Sequence, residues 1–387
     1  MFGIKRGGGE NGHVVAVADV GSGSAAVAIL LLRDGLPAQI LAAERALLSY
    51  ENRSEEATIK GVLTQLSTEG EKVKVAYQAS SHRAAGSIDR VYAIIRAPWT
   101  KTRTVKITEQ FEHDTYITQR LIEDSAHKAV AQQKDIEQDA LLEASVVRVE
   151  LNGYPCAEPV GKTVRVLSVA VLISECDTRV KTSVIETLAK LFSFQPTLRS
   201  GTRALLTVLR EAEGRPKNCV IIDMTSEATD IISIRKAITV GHSLVPEGVR
   251  SILRRIAESA MPEETLGLLR MLAMDQTDTT TAERMNAALA KAEPELVRVF
   301  GGAMEAMVAQ RRLPNELILL THPDLARWLA YFFARIDFSQ FTITMQPFAV
   351  TTLAARSLER FVVSTEGAPI DTGLSLACSL VNIEEQE

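Results

Sequence analysis

The chain has 387 residues, of which 46% are apolar, and a formal net charge of -5 from 48 acidic and 43 basic residues. This length allows two or more domains with large cores, and the scattered basic residues exclude a general nucleic-acid-binding surface. The four cysteines are far apart, with no CxxC pair and no nearby His pair, which argues against a zinc site and favours a reduced, cytoplasmic setting. No apolar stretch approaches the roughly 18 residues that a membrane span needs.

The first part of the chain predicts short strands after a flexible tail over residues 1–12. The predicted strands are Val14–Ala18, which is followed by Asp19, then Ala25–Leu32, which is followed by the turn signal RDG, and then Gln39–Leu48. Glu55–Leu66 has the pattern of an amphipathic helix, and the alternating residues EKVKVAYQA, at 71–79, predict a further strand.

A separate unit is predicted over residues 87–175. Its predicted elements are the strand Val91–Ala97, the helix Asp114–Gln132, the strand Ser145–Leu151 and the long strand Thr163–Ser174. The order is therefore strand, helix, strand, strand. Two helices follow the unit, over Asp177–Phe192 and Ser200–Glu213.

The opening pattern returns at residue 218. An apolar strand ends in Asp223, a small polar turn follows, and a second strand begins near Ile231. The eight-residue spacing from Asp223 to Ile231 equals that from Asp19 to Val27, so the sequence predicts two halves of a duplicated fold.

The rest of the chain is predicted to be mostly helical. The predicted helices are Glu247–Ser259, Pro262–Met274, Ala282–Gln310 and Ala349–Arg360, with a strand, turn and helix in ELILLTHPDLARWLAYFF. The predicted division is a first lobe at 13–86 and 176–214, the inserted domain at 87–175, a second lobe at 215–258 and 314–381, a helical subdomain at 259–313, and a frayed tail at 382–387. Six methionines between 261 and 307 are predicted to be mostly core.

The small-residue turn after Asp19 has three interpretations. Gly21, Gly23 and Ala26 fit a dinucleotide fingerprint, but that motif needs a helical crossover of a dozen residues or more, and only about eight are present. A phosphate-binding hairpin fits the length, with backbone N–H groups and the hydroxyls of Ser22 and Ser24 as donors. An ordinary tight hairpin stays open as the third interpretation.

Together these segments resemble the actin-like ATPase superfamily, and within it the FtsA family and its relative PilM. VADVGSGSAAVAIL is similar to the first phosphate motif, VIIDMTSEATDIISI to the second, and the inserted unit to the small SHS2 domain of FtsA and PilM. The resemblance implies a duplicated, ribonuclease H-like α/β fold that binds ATP and magnesium. The implied nucleotide-binding residues are Asp19, Gly21, Ser22, Gly23, Ser24, Asp223, Thr225, Ser226 and Thr229, with Asp19 and Asp223 as the magnesium carboxylates.

The second half of this site departs from the family pattern. Three glycines of the family motif are replaced by Thr225, Ser226 and Glu227. The family glycine pair of the adenosine motif is replaced by His322 and Pro323, and proline removes a backbone N–H. Side chains therefore crowd a backbone that should approach phosphate, so efficient ATP hydrolysis is not expected and no catalytic residue is assigned, whereas weak ATP binding is left open.

The resemblance implies a cytoplasmic adaptor of the FtsA type, which links a cell-division filament to membrane partners and self-associates into filaments. Its expected partner is an FtsZ-like tail peptide. The alternative is a PilM-like component of type IV pilus or secretion machinery that binds a peptide of a pilus membrane protein, and an active ATPase or kinase is a third hypothesis. The chain ends in the acidic residues NIEEQE, so contact with the inner face of the membrane is expected only through partners.

Overall fold

The computed structural model describes residues 12–51, 53–212, 216–236, 238–309, 311–364 and 371–386. Nearly all of the tail predicted at 1–12 lies outside these ranges. None of the helices in the described ranges combines the length and apolar character needed to cross a bilayer.

The first part of the chain forms an antiparallel meander, then a long helix and a parallel strand. Its elements are β1 (His13–Gly21), β2 (Ser24–Leu32), β3 (Ala38–Leu47), α1 (Glu55–Ala79) and β4 (Ile88–Ile95). Gly21 pairs with Ser24, so only Ser22 and Gly23 form the turn and no helix leaves it. This geometry confirms a hairpin and excludes the dinucleotide fold.

The inserted unit begins later than predicted. Its elements are β5 (Thr100–Tyr116), α2 (Gln119–Ala131), β6 (Leu141–Leu151), the short β7 (Tyr154–Pro155) and β8 (Thr163–Cys176). The predicted first strand, Val91–Ala97, is wrong for this unit, because β4 pairs in parallel with β1 of the first sheet. The first strand is β5 instead, in a four-stranded sheet of order β5-β8-β6-β7.

The chain then returns to the first lobe and enters the second. The elements are α3 (Thr178–Phe192), β9 (Thr197–Ser200), α4 (Gly201–Glu211), β10 (Cys219–Met224), β11 (Thr229–Arg235), β12 (Ile238–Val245), α5 (Val249–Ala257), α6 (Pro262–Ala273), α7 (Thr279–Val308), β13 (Glu316–Leu320), α8 (Pro323–Phe333), β14 (Ala349–Thr352), β15 (Val362–Ser364) and α9 (Thr372–Gln386).

The two large sheets repeat one topology. The first has the order β15-β3-β2-β1-β4-β9 and the second the order β12-β11-β10-β13-β14. In each, three antiparallel meander strands are followed by two parallel strands. The predicted duplication is confirmed, and Asp19 and Asp223 lie near the same end of the corresponding first strands, β1 and β10.

Helices α4 and α9 share one core with the facing sides of both sheets. This core includes Leu205 of α4, Leu376 and Leu380 of α9, Val17 of β1 and Ile221 of β10. Helix α9 is apolar on several sides, which is the pattern of a helix buried between layers. Helices α1 and α3 pack on the other face of the first sheet, and α5 to α8 on that of the second.

Three further sequence-based assignments are wrong. Residues 71–79 continue α1, because Gly70, Val73 and Tyr77 extend the buried helical face begun by Leu66. Ala349–Arg360 is strand β14 followed by a short 3-10 helix, since Val350, Thr351 and Thr352 favour extended backbone. Residues 382–386 of the tail that was expected to fray are the last part of α9, which is helical through Gln386.

Candidate functional site

The two hairpin turns that were predicted to grip phosphate contact each other directly. Ser22 Oγ lies 3.1 Å from Thr225 Oγ1 and accepts a 3.0 Å hydrogen bond from the backbone N–H of Glu227. A Cβ atom added at Gly23 would lie 2.5 Å from Ser226 Cβ, so glycine is needed there for the close approach. The structure therefore brings both predicted turns to one place, with contact between them.

The donors of the second turn are also engaged within the protein. Thr225 N–H donates to Ala228 O at 2.9 Å, and the hydroxyl of Thr229 donates to Glu247 O at 2.6 Å. The N-terminus of α5 points at the turn, where the N–H groups of Val249 and Arg250 donate to the carbonyls of Thr225 and Ser226. These amides would otherwise be available to an anion.

Each of the two predicted magnesium carboxylates is paired with an arginine. Asp19 is 1% exposed, and its Oδ2 accepts a 2.6 Å hydrogen bond from Arg45 Nη2. Asp223 is 2% exposed and pairs with Arg96. Arg45 also pairs with Asp371 and donates to Ser24 Oγ at 2.8 Å. Two guanidinium groups and three carboxylates thus form one cluster, which we call the arginine clasp: Asp19, Arg45, Arg96, Asp223 and Asp371.

Burial governs the titration of the clasp. It raises the pKa of Asp223, and the adjacent Arg96 charge only partly opposes this effect. Burial also disfavours the charged form of Arg96, but the charges of Asp223 and Asp19 outweigh it and raise the pKa of Arg96 above its ordinary value. The start of α9 closes over the cluster, because a Cβ atom at Gly373 would lie 2.5 Å from Arg96 Nη1 and 2.9 Å from Asp19 Oδ2.

The arrangement does not fit a magnesium ion. The second oxygen of Asp19, Oδ1, is buried without a hydrogen-bond partner, but a cation there would meet the like charges of Arg45 and Arg96. Within the described ranges, no group of three or more His, Cys, Asp or Glu side chains could hold a metal ion. The metal assignment of Asp19 and Asp223 stays a prediction that nucleotide titration tests.

A second group of contacts joins the lobes beside the turns. Glu227, which stands where the family motif has a glycine, accepts a 2.7 Å hydrogen bond from Arg254 Nη2. Arg250 donates to Leu48 O, and its guanidinium lies 5.1 Å from the centre of the Tyr50 ring. Leu48 N–H donates in turn to Gly23 O at 2.9 Å. Arg254 also donates to Tyr50 O at 3.3 Å, so Arg250 and Arg254 of the second lobe bind the chain just after β3.

The segment that replaces the adenosine motif begins α8. His322 caps this helix, with Nδ1 3.3 Å from the backbone N of Asp324, and Pro323 occupies the first turn, where it lacks no needed donor. Burial lowers the pKa of His322.

Sequence reasoning missed Arg45, Arg96 and Asp371. A signal for Arg96 was present, because it directly follows an apolar strand whose end adjoins the end of β1. Its backbone N–H donates to Val20 O at 3.0 Å. A charged residue at such a position needs a buried partner of opposite sign.

The repeated strand order defines an actin-like fold with an inserted α/β unit. No protein-family model matches the chain, and no curated protein is significantly similar to it in sequence.

Solved structures provide the comparison. The chain is similar to a chain of the PilM-PilN type IV pilus biogenesis complex, with 14% identity over 96% of this chain and 98% of that chain and a TM-score of 0.59. It is more distantly similar to the ethanolamine utilization protein EutJ from Carboxydothermus hydrogenoformans, with 11% identity over 95% and 89% of the two chains and a TM-score of 0.42. A protein of Bacteroides thetaiotaomicron with an actin-like ATPase fold and unknown function has 10% identity over 96% and 97% and a TM-score of 0.36. The similarity to the chain of the PilM-PilN complex, at 14% identity, establishes the fold alone.

Proposed function

We propose that this protein is an actin-fold adaptor that binds a partner peptide and does not turn over ATP efficiently. The arginine clasp carries the proposal. Each carboxylate that would orient magnesium has a guanidinium at its side, and the two turns that would surround the phosphates contact each other. Two protein cations thus take over the electrostatic role that a magnesium ion has beside phosphate-binding carboxylates.

Within this class we propose a PilM-like role in type IV pilus or secretion machinery. The similar fold of a protein that is found in a complex with PilN supports this proposal. The expected partner is a short peptide of a membrane protein, and contact with the membrane would occur through that partner.

An FtsA-like role in cell division is the second candidate. The prediction that the methionines of the helical subdomain are mostly core is wrong for Met261, Met271 and Met274, which are 59%, 42% and 58% exposed, and this exposure favours the FtsA-like role. Flexible, polarisable methionines suit a peptide-binding surface. In this case the partner is an FtsZ-like tail peptide, and head-to-tail contacts between copies would form filaments.

Nucleotide titration tests the adaptor proposal. Magnesium and ATP are added to the purified chain, and thermal unfolding and phosphate release are measured. A ligand at 100 times its Kd stabilises a protein by about 2.7 kcal/mol. We expect magnesium and ATP to stabilise the chain by much less than this, and we expect no release of phosphate. A saturable shift together with ATP hydrolysis or phosphate transfer would establish the ATPase or kinase hypothesis instead.

Peptide binding separates the two adaptor roles. The chain is titrated with an FtsZ tail peptide and with the N-terminal peptide of a pilus membrane protein, with scrambled peptides as controls. Saturable binding of only the pilus peptide supports the PilM-like role, and binding of only the FtsZ peptide supports the FtsA-like role. If neither peptide binds, both adaptor roles are overturned.

A further inference from the structure

A half-enclosed cavity lies on the second lobe. It is formed by β11, β12, the end of α7 and the segment that follows α7. Its walls are Ser233, Arg235 and Arg311, with the apolar side chains of Val240, Met307 and Leu313. None of these residues belongs to the clasp, so the cavity is separate from the site described above.

The two arginines place uncompensated positive charge in this cavity. Neither guanidinium forms an ion pair with a carboxylate of the described residues. Arg235 Nη2 donates to Arg312 O, whereas its Nε is buried without a hydrogen-bond partner. Burial and the neighbouring charge of Arg311 both lower the pKa of Arg235. Two like charges at one cavity are stabilised when an anion lies between them.

Hydrogen bonds fix the backbone next to Arg311 and the carbonyl that accepts from Arg235. Arg312, whose carbonyl accepts from Arg235, donates from Nη1 to Gln340 O at 2.8 Å. Leu313 N–H donates to Phe341 O, and Ile343 N–H donates to Leu313 O, each at 2.9 Å. The backbone that directly follows Arg311 is therefore tied to residues 340–343 through Arg312 and Leu313, which fixes one edge of the cavity.

A glycine keeps the cavity open. A Cβ atom at Gly241 would lie 3.3 Å from Met307 Cε and 3.6 Å from Ser233 Cβ, between the apolar and the polar wall. The absence of a side chain at Gly241 leaves the space in front of Ser233 and Arg235 free.

We propose that this cavity binds an oxyanionic group of a small molecule, a phosphate or a carboxylate, between Arg235 and Arg311. The hydroxyl of Ser233 supplies a further donor, and the apolar wall accommodates the body that carries the anion. Guanidinium groups match the planar pair of oxygens that both anions present. The proposal is independent of the nucleotide cleft and of the adaptor role.

Titration with inorganic phosphate and with acetate, at constant ionic strength against chloride, tests the proposal. Isothermal calorimetry and thermal unfolding report binding to the full chain. Arg235→Gln and Arg311→Gln are compared with Arg284→Gln, which removes the same charge from an exposed position on α7. We expect saturable binding of phosphate, acetate or both to the wild type and to Arg284→Gln, with affinity at least about tenfold lower in the other two variants.

The responses to phosphate and acetate identify the source of the anion. Stronger binding of phosphate indicates a phosphorylated ligand, and stronger binding of acetate indicates a carboxylate. If Arg235→Gln fails to fold, the exposed Arg311→Gln decides the outcome. Absence of saturable binding of either anion, or equal binding by all three variants, overturns the proposal.

Discussion

Arg96 and Asp223 form a buried ion pair between the two lobes, although they are separated by 127 positions in the chain. Arg96 follows β4 of the first sheet, and Asp223 lies near the end of β10 of the second. Both side chains are largely withdrawn from water, with 12% and 2% of their surfaces exposed. The pair therefore fixes the approach of the two lobes beside the two turns that were predicted to bind phosphate.

Replacement of Arg96 by Met tests the energetic role of this pair. It leaves Asp223 buried without its cation, and loss of one partner of a buried ion pair costs about 3–5 kcal/mol. Urea unfolding should show a fall of that size in the free energy of unfolding. Because burial already raises the pKa of Asp223, the variant should lose less stability at low pH, where this carboxylate is protonated.

A matched control is Arg298→Met. Arg298 forms an exposed ion pair with Glu295 on α7, and exposed pairs contribute little. A stability of Arg96→Met equal to that of the control would show that the interlobe pair is not a structural contact.

The contact between the two turns leads to a second expectation. In Gly23→Ala the added methyl would lie 2.5 Å from Ser226 Cβ and 2.6 Å from Ser226 Oγ, so the turns must separate. Overpacking of this kind typically costs about 1–3 kcal/mol. Gly267→Ala in α6 is the control, because no atom lies within 4 Å of the added carbon and alanine favours helix. We expect the midpoint temperature of thermal unfolding to fall for Gly23→Ala and to rise slightly for Gly267→Ala. An unchanged midpoint for Gly23→Ala would contradict the observed contact between the turns.

The two hairpins were predictable because their information is local. An apolar run, a two-residue turn of small residues and a second apolar run determine a hairpin within twenty residues, and the repeat at Asp223 indicated the duplication. The clasp was not predictable in the same way. Arg45 and Asp371 are 326 positions apart, and only the folded chain brings them to Asp19.

The errors have a common cause in tertiary packing. Residues 71–79 alternate like a strand, but Val73 and Tyr77 are four apart and complete the buried face of α1. The boundary of the inserted unit was misplaced because an apolar strand such as β4 looks the same in either sheet. The acidic end of the chain was expected to fray, yet Arg199 and Arg203 bind Glu384 at 2.9 and 2.6 Å.

Thiol labelling provides a third test, since the four cysteines differ in burial. Cys176, Cys219 and Cys378 are 3%, 1% and 0% exposed, and burial raises the pKa of Cys176 and of Cys219 to about 12. Cys156 is only half-buried, with Lys162 Nζ 3.0 Å from its sulfur. We expect one thiol per native molecule to react with Ellman's reagent, and four after denaturation. Cys156→Ser should abolish the native reaction, and a second thiol that reacts at a similar rate would contradict the burial of Cys176, Cys219 and Cys378 on β8, β10 and α9.

The C-terminal end of α9 leads to a prediction about pH. Burial alone would raise the pKa of Glu385, but the contact with His13 and the hydrogen bonds from Tyr92 and Arg90 outweigh it and lower this pKa from 4.5 to about 2. A carboxylate whose pKa is lowered by folding stabilises the folded chain at pH values above the pKa that it has in the unfolded chain. This stabilisation is lost as the pH falls from 4.5 toward 2. Because His13 and Arg90 are partly exposed and solvent screens their charges, we expect a contribution of about 2 kcal/mol near pH 5.

Glu385→Gln should lower the free energy of unfolding by that amount near pH 5 and converge with the wild type toward pH 2, whereas the exposed control Glu305→Gln should follow the wild type throughout. A constant difference between Glu385→Gln and the wild type across this range would show that the loss comes from packing and that the carboxylate charge has no role in anchoring α9.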